Sequence, residues 1–382
     1  MSRLRLAINA WSLISQQAGI AAYTRNLVAA LYDMNAVDMN LFYGYGWSTE
    51  LRTAPLPGIE SIKSWVKKFV PRPYTLTRFA QQHCFYVGVR RQPCDVYHEP
   101  GFLPFQCSSP TVITIHDLSP LRYPEAHPAQ RVRDFGEQLP KAINRAAQII
   151  VDAESVRGEV METFGVLPER IHTIHLGVAP YYRPRSRAET APARQHYALE
   201  HGQYILAVGT LEPRKNLMQA IDAYSALPDS IRRNTPLVIA GMRGWMVQEL
   251  ESRLRQLEER GEVRWLGFVP AADLPLLYSG AAMLVYPSLY EGFGLPVLEA
   301  MASGIPVITS NRASLPEVAG DVGLMVDPGD TIALRRWMQQ LLENRAEAQR
   351  LGILGIERAR QFTWGACAEK TLAIYQKAVQ GV

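Results

Sequence analysis

Cysteine is scarce in this 382-residue chain, and the four present (Cys84, Cys94, Cys107 and Cys367) form no Cys-x-x-Cys pair. That argues against a disulfide framework or a thiolate metal site of ordinary spacing. A chain of this length buries enough surface to fold without either, so reduced thiols in a cytoplasmic setting are expected. Long apolar runs are also missing: nothing approaches the roughly 20 residues that a membrane-spanning helix needs. The opening residues, Met-Ser-Arg-Leu-Arg-Leu-Ala-Ile-Asn-Ala, run straight into a strand-like pattern without the apolar core of a signal peptide. Charge of one sign does not dominate either. Forty Lys and Arg stand against 36 Asp and Glu, and a net +4 does not mark a nucleic-acid binder.

What remains is an ordinary soluble composition, 47% apolar and 20% charged, long enough for two domains. Short apolar runs alternate with longer helical patterns, which signals parallel-sheet α/β architecture. Strands are expected at 4–9, 39–43, 96–97, 111–116, 148–152 and 171–174, then at 204–208, 236–240, 263–266, 283–286, 306–309 and 323–326. Between the two sets, 177–202 is rich in Pro, Ala and Arg and has no clear periodicity, although 192–199 fits a short helix. The resulting division is a first Rossmann-like domain at 1–180, a linker at 181–202, a second Rossmann-like domain at 203–363, and a final helix at 364–382. Two such domains facing a cleft put ligands outside the carboxyl ends of the strands.

The motifs fall at those ends. Residues 291–299 read Glu-Gly-Phe-Gly-Leu-Pro-Val-Leu-Glu, two carboxylates separated by a glycine loop and a helix start. Pro296 suits the first helical turn, and free N–H groups there attract phosphate. Glu291 in the loop and Glu299 a turn into the helix touch different parts of one ligand, as a hydroxyl-rich anion such as a sugar nucleotide requires. Gly209-Thr210-Leu211-Glu212-Pro213-Arg214-Lys215-Asn216 follows another strand and opens a helix. Arg214 offers a fork-shaped donor and Lys215 a point charge for a diphosphate. Cations at a helix start oppose its dipole, so a purely structural role is disfavoured. His116 and Asp117 end the β-branched run 111–115.

Together these pieces resemble the retaining glycosyltransferases of family 4, which have the two-domain GT-B fold, over nearly the whole chain. The carrying residues are the Glu291–Glu299 block, the Gly209 segment, His116-Asp117, and Ala18-Gly19-Ile20 leading into Tyr23-Thr24-Arg25-Asn26-Leu27. The Gly-Thr-Leu-Glu-Pro-Arg-Lys-Asn version looks most like mannosyl- and rhamnosyltransferases of bacterial polysaccharide assembly (O-antigen, lipopolysaccharide or exopolysaccharide). The resemblance implies transfer from a nucleotide sugar, GDP-linked by preference, to a lipid-linked glycan, with the final helix packing back on the first domain. Arg214 and Lys215 then neutralise the leaving diphosphate, and Gly209 and Thr210 border the donor. Glu299 accepts from the ribose hydroxyls, and Glu291 lies at the donor sugar. The backbone of Gly292, Phe293, Gly294 and Leu295 holds sugar and phosphate oxygens. His116 lies near the transferred sugar and Asp117 orders its loop. Gly267-Phe268-Val269 meets the nucleobase, and Gly19 approaches the diphosphate. Ala18 and Ala21 stand where such loops often carry glycine, a departure that matters if those backbones need positive φ. Metal-dependent relatives of the other common fold hold a cation with Asp-x-Asp, which this chain lacks. No metal or cofactor is therefore expected.

Residues 61–94 carry seven Lys or Arg, no acid, and interleaved aromatics. Within 62–69, Ile62, Trp65, Val66 and Phe69 take one helical face, while Lys63, Lys67 and Lys68 take the others. That is a basic amphipathic helix, equally readable as a domain helix on its core or as an anionic-membrane contact. The acid-free run in the acceptor-binding half favours peripheral association with the inner membrane. Basic-plus-aromatic composition also fits nucleic acid, but no binding module is visible and that partner is rejected. Two other readings compete with the transferase: a nucleotide-sugar epimerase on the same fold, and a catalytically silent scaffold.

Overall fold

The computed structural model describes residues 3–14, 18–52 and 73–381. The amphipathic segment with Lys63, Trp65, Lys67, Lys68 and Phe69 lies outside the described residues. Thirteen strands are described: β1 Leu4–Asn9, β2 Val37–Phe42, β3 Trp47–Ser48, β4 Val96–Glu99, β5 Thr111–Ile115, β6 Gln148–Val151, β7 Ile171–Thr173, β8 Ile205–Val208, β9 Leu237–Ala240, β10 Val263–Gly267, β11 Met283–Tyr286, β12 Val307–Ser310 and β13 Leu324–Val326. They build two sheets, ordered β3-β2-β1-β4-β5-β6-β7 and β10-β9-β8-β11-β12-β13. Every pairing is parallel except β2 with β3, a two-residue antiparallel edge that the sequence reading missed. An element so short carries no periodicity.

The central strands read as continuous apolar or β-branched runs because helices cover both faces. All five residues of β5, Thr-Val-Ile-Thr-Ile, are buried, and β4, β6, β9, β11 and β12 are buried throughout. In each sheet the strand order reverses once, between β1 and β4 and between β8 and β11. Chain connections diverge there and leave a crevice at the strand ends. The Gly209 segment follows β8 and the Glu291 loop follows β11, so topology alone makes the two motifs neighbours.

Between the sheets, 181–202 is not all irregular. A helix spans Arg187–His196, starting earlier than 192 because Ser186 and Glu189 form a reciprocal capping box. The last helix, Trp364–Gln380, packs on the Ala18–Met34 helix and on β4, β5 and β6 of the first sheet. Thr363 caps it by accepting from Ala366 N–H. A buried polar chain fastens it: Tyr375 OH meets His98 Nδ1 at 2.6 Å, His98 Nε2 meets Thr114 Oγ1 at 2.9 Å, and Thr114 Oγ1 meets Tyr23 OH at 3.1 Å. Burial pushes His98 down to about 3, so its ring is neutral and offers one donor and one acceptor to this chain.

Removing one partner of such a chain leaves the other unpaired and buried. Tyr375→Phe should therefore cost about 1–3 kcal/mol, seen as a lower urea midpoint at unchanged m-value. An unaltered midpoint would mean that the helix is held by its apolar contacts alone.

Candidate active site

Two loops meet at the β8–β11 crevice and are sewn together through their backbones. Leu289 N–H donates to Arg214 O (2.8 Å), and Asn216 Nδ2 donates to Pro287 O (3.0 Å) and Pro328 O (2.9 Å). Asn216 itself sits at φ 55°, a left-handed position that asparagine tolerates. The short 3-10 turn Pro213–Lys215 thereby aims two cations at Glu291. Arg214 Nη1 donates to Glu291 Oε2 (2.8 Å) and to Tyr290 O (2.7 Å), and Nη2 donates to Glu212 Oε1 (2.7 Å). Lys215 Nζ donates to Glu291 Oε1 (2.7 Å) and to Tyr286 OH (2.7 Å), whose own hydroxyl donates to the same Oε1 (2.8 Å).

All four charged side chains of this knot are largely buried. Burial alone drives Glu291 up, but Arg214 and Lys215 outweigh it and hold the carboxylate at about 2. Burial drives Arg214 down, yet Glu291, Asp117 and Glu212 together leave it well above its ordinary value. Lys215 is lowered, burial being only partly offset by Glu291. Two cations thus face two carboxylates, and the knot is charge-balanced. Arg214 Nε is buried with no partner among the described residues.

The loop after Glu291 needs its glycines. A Cβ on Gly292 would lie 1.8 Å from the carbonyl oxygen of His116, so only glycine lets the two domains close here. Gly294, at φ 107°, turns the chain into the Leu295–Ala302 helix. Ser314 Oγ donates to the carbonyls of Glu291 and Phe293 (2.8 Å each), and Phe293 packs between His175 and Phe362. Glu299 is half-buried with the Tyr182 and Tyr278 hydroxyls beside it. Burial raises it to about 7, the two hydroxyls pulling the other way.

The facing wall belongs to the first sheet. His116 follows β5 and meets Asp152, at the end of β6, through Nδ1 and Oδ2 at 2.7 Å, and meets Pro100 O through Nε2 at 2.9 Å. Pro100 O only accepts, so Nε2 carries a proton. With the Asp152 carboxylate accepting from the other N–H, the ring is an imidazolium. Burial opposes that charge, but Asp152 and then Pro100 O raise His116 above its ordinary value. Burial lifts the Asp152 carboxyl too, and His116 opposes the rise. Both nitrogens of His116 are therefore committed within the protein, which differs from a ring free to orient a sugar. Asp117 Oδ1 accepts from Ser119 N–H (2.8 Å) and orders the turn that follows. Gly19 lies exposed in the first turn of the Ala18–Met34 helix, and a Cβ there would meet nothing within 4 Å. Ala18 and Ala21 are helical, so the feared strain does not arise. Thr210 is half-buried against Gly244, Val269 is half-buried, and Phe268 is 69% exposed.

Sequence reasoning passed over several members of this site. Tyr290, next to Glu291, reaches the other domain. Its OH donates to Glu159 Oε2 (2.6 Å) and accepts from Leu118 N–H (3.2 Å), while Tyr123 OH donates to Leu289 O (3.3 Å). Nothing local marks Tyr290, Glu159 or Tyr286 as polar partners. Asp152 did carry a signal, since an acid at a strand's carboxyl end satisfies the same rule that selected His116.

Asp152→Asn should lower the titration midpoint of His116, read by NMR of its ring. A histidine raised by folding adds stability that is fully present below its unfolded value near 6.5 and disappears as pH climbs through the raised midpoint. The substitution should remove that increment, about 2 kcal/mol for a charge-assisted bond, so wild type and variant differ at pH 6 and converge at high pH. An unmoved His116 titration would contradict the pairing.

Comparison with known proteins agrees with this geometry. Residues 18–181 match the family model described as Glycosyltransferase Family 4, and residues 191–358 match Glycosyl transferases group 1. O-antigen chain mannosyltransferase B of Escherichia coli is 40% identical over 282 residues, 74% of each chain. A serotype-specific mannosyltransferase, WbdA of Escherichia coli, is 32% identical over 279 residues, 71% of this chain and 34% of that longer one. Sucrose-phosphate synthase from Thermosynechococcus elongatus superposes over the whole of both chains with a TM-score of 0.76 at 21% identity, a likeness of fold. With two largely parallel sheets and the Arg214–Lys215–Glu291 knot at the β8–β11 crevice, the chain belongs to the family 4 glycosyltransferases of the GT-B fold.

Proposed function

We propose that this protein is a retaining, metal-independent mannosyltransferase. It moves mannose from GDP-mannose to a lipid-linked glycan during cell-surface polysaccharide assembly, at the cytoplasmic face of the inner membrane. The observation that carries the reading is the buried knot in which Glu291 holds Arg214 and Lys215 side by side at the topological switch point. The mannosyltransferase relatives support the sugar, and O-antigen synthesis is named for one of them.

In the reaction the C1–O bond of the donor breaks, charge builds on the departing β-phosphate, and the anomeric carbon turns electron-poor. Arg214 Nε, unspent in the knot, and the remaining Lys215 proton meet the phosphate oxygens. As negative charge arrives, Glu291 yields part of its share of both cations and its carboxylate faces the sugar. Preorganised donors of this kind contribute about 3–4 kcal/mol each to the barrier. Attack on the same face lets the leaving phosphate take the proton of the acceptor hydroxyl, so no protein base is required. His116, held as an imidazolium, adds a fixed positive charge beside the diphosphate rather than a mobile proton. Glu299 receives the ribose hydroxyls, which favours its ionised form, and the Gly267–Val269 backbone borders the base.

Membrane association is supported by the Pro73–Arg91 helix, which contains no acid and leaves Phe79, His83, Tyr86 and Arg90 exposed along one face. The sequence just before it carries Lys63, Trp65, Lys67, Lys68 and Phe69. No helix among the described residues is long and apolar enough to cross a bilayer.

The test is to incubate the protein with GDP-mannose and octyl α-mannobioside in EDTA and to read the new linkage by NMR. An α-linked product formed at the same rate with or without magnesium is expected. Glu291→Gln should lower kcat by about 100-fold or more. A β-linked product, or turnover that appears only with magnesium, would overturn the mechanism.

A further inference from the structure

On the first-domain side of the cleft, the turn Pro124–Ala126 is followed by a histidine that the mechanism does not use. His127 is 5% exposed, and both ring nitrogens are buried with no partner among the described residues. Trp245, on the loop after β9 of the second domain, crosses to it. Its Nε1 donates to Ala126 O (2.7 Å), and its ring centroid lies 5.8 Å from that of His127 at 33°. The Arg131 guanidinium sits 5.1 Å over the same indole. Trp245 is half-buried, so part of its ring stays open. The charged groups facing His127 are Arg131, Arg214, Asp117 and Glu125, two of which border the diphosphate knot. Arg214 and Asp117 therefore place His127 next to the reacting centre.

Its chemistry selects one kind of ligand. Burial, then Arg131 and Arg214, push His127 down to about 4, so at neutral pH the ring is uncharged, with one N–H donor and one bare acceptor. Adjacent sugar hydroxyls, which each donate and accept, match that pair. The C–H face of a hexose fits an indole that is apolar across its face and polar at its rim. A phosphate fits poorly, since it offers no donor to the bare nitrogen.

We propose that His127 and Trp245 form the acceptor subsite and grip the neutral terminal hexose of the glycan that receives the transferred sugar. This rests on the transferase reading above. The Trp245–Ala126 bond spans the two domains, so closure of the cleft completes the subsite. Acceptor binding and assembly of the diphosphate site are thereby linked.

The probe is octyl α-mannobioside with GDP-mannose as donor, in wild type, His127→Phe, His127→Asn and Trp245→Leu. His127→Phe keeps a flat ring and deletes both nitrogens. It should raise the KM for the mannobioside about tenfold or more while the KM for GDP-mannose stays within about twofold. His127→Asn, which restores one donor and one acceptor, should recover most of the loss. Trp245→Leu should weaken the mannobioside comparably. Saturation-transfer NMR of the mannobioside, read without turnover, should give a strong signal with wild type and a weak one with His127→Phe. A mannobioside KM within about twofold of wild type in His127→Phe would overturn the proposal. So would a donor KM rising in step, or a wild-type protein that does not bind the mannobioside at all. Failure of the transferase reading is seen separately, as absence of both transfer and hydrolysis of GDP-mannose by the wild type.

Discussion

The attraction of Glu291 for Arg214 and Lys215 is the constraint around which the cleft is built. Two like charges side by side in a buried site repel, and neither is stable there without a counter-charge. Glu291 supplies one to each and Glu212 supplies a second to Arg214, with oxygen–nitrogen distances of 2.7–2.8 Å. Holding this arrangement dictates much else. The β8 and β11 loops must be tied together, which Asn216 and the Leu289–Arg214 backbone bond accomplish. The Glu291 loop must start against the other domain, which glycine at 292 permits. Tyr290 must turn outward, and it becomes the clasp to Glu159 and Leu118.

Charge balance also explains how two cations sit side by side in a buried site. In the proposed reaction a diphosphate competes with Glu291 for donors already in position, so little reorganisation would accompany its arrival. The opposite wall pairs a base with a buried acid in a second place, where Asp152 raises His116 above its ordinary value. Each site of fixed positive charge is thus paired with a buried carboxylate on its own domain. Several cross-cleft contacts are neutral, through Leu118 N–H to Tyr290, Tyr123, Trp245 and the Gly292–His116 approach; Tyr290 OH on the Glu159 carboxyl, and Glu317 with His175 and the Glu154 backbone, are the charged exceptions. Neutral contacts of that kind open and close without uncovering a bare charge.

Much of this was legible in the sequence because the signals are local. Continuous apolar runs bounded by glycine or proline located the long strands, and β1 and β11 fall at 4–9 and 283–286 as read. The reversal of strand order then makes neighbours of motifs some 80 residues apart. What stayed hidden depends on partners distant in the chain. That His116 has both nitrogens committed requires knowing that Pro100 and Asp152 lie on either side of it. Trp245 and His127 look unremarkable until a loop of one domain lies against a turn of the other. The helix in 181–202 starts before Pro192 because the Ser186–Glu189 cap, and not the proline, sets its first turn.

The central claim is that the cations held by Glu291 form the diphosphate site and need no metal. Calorimetric titration of the wild-type protein with GDP and with guanosine monophosphate, both in EDTA, addresses it most directly. The account predicts that GDP binds more tightly by about 100-fold or more, and that magnesium leaves its affinity unchanged. Equal affinities for the two nucleotides, or GDP binding that appears only with magnesium, would contradict it.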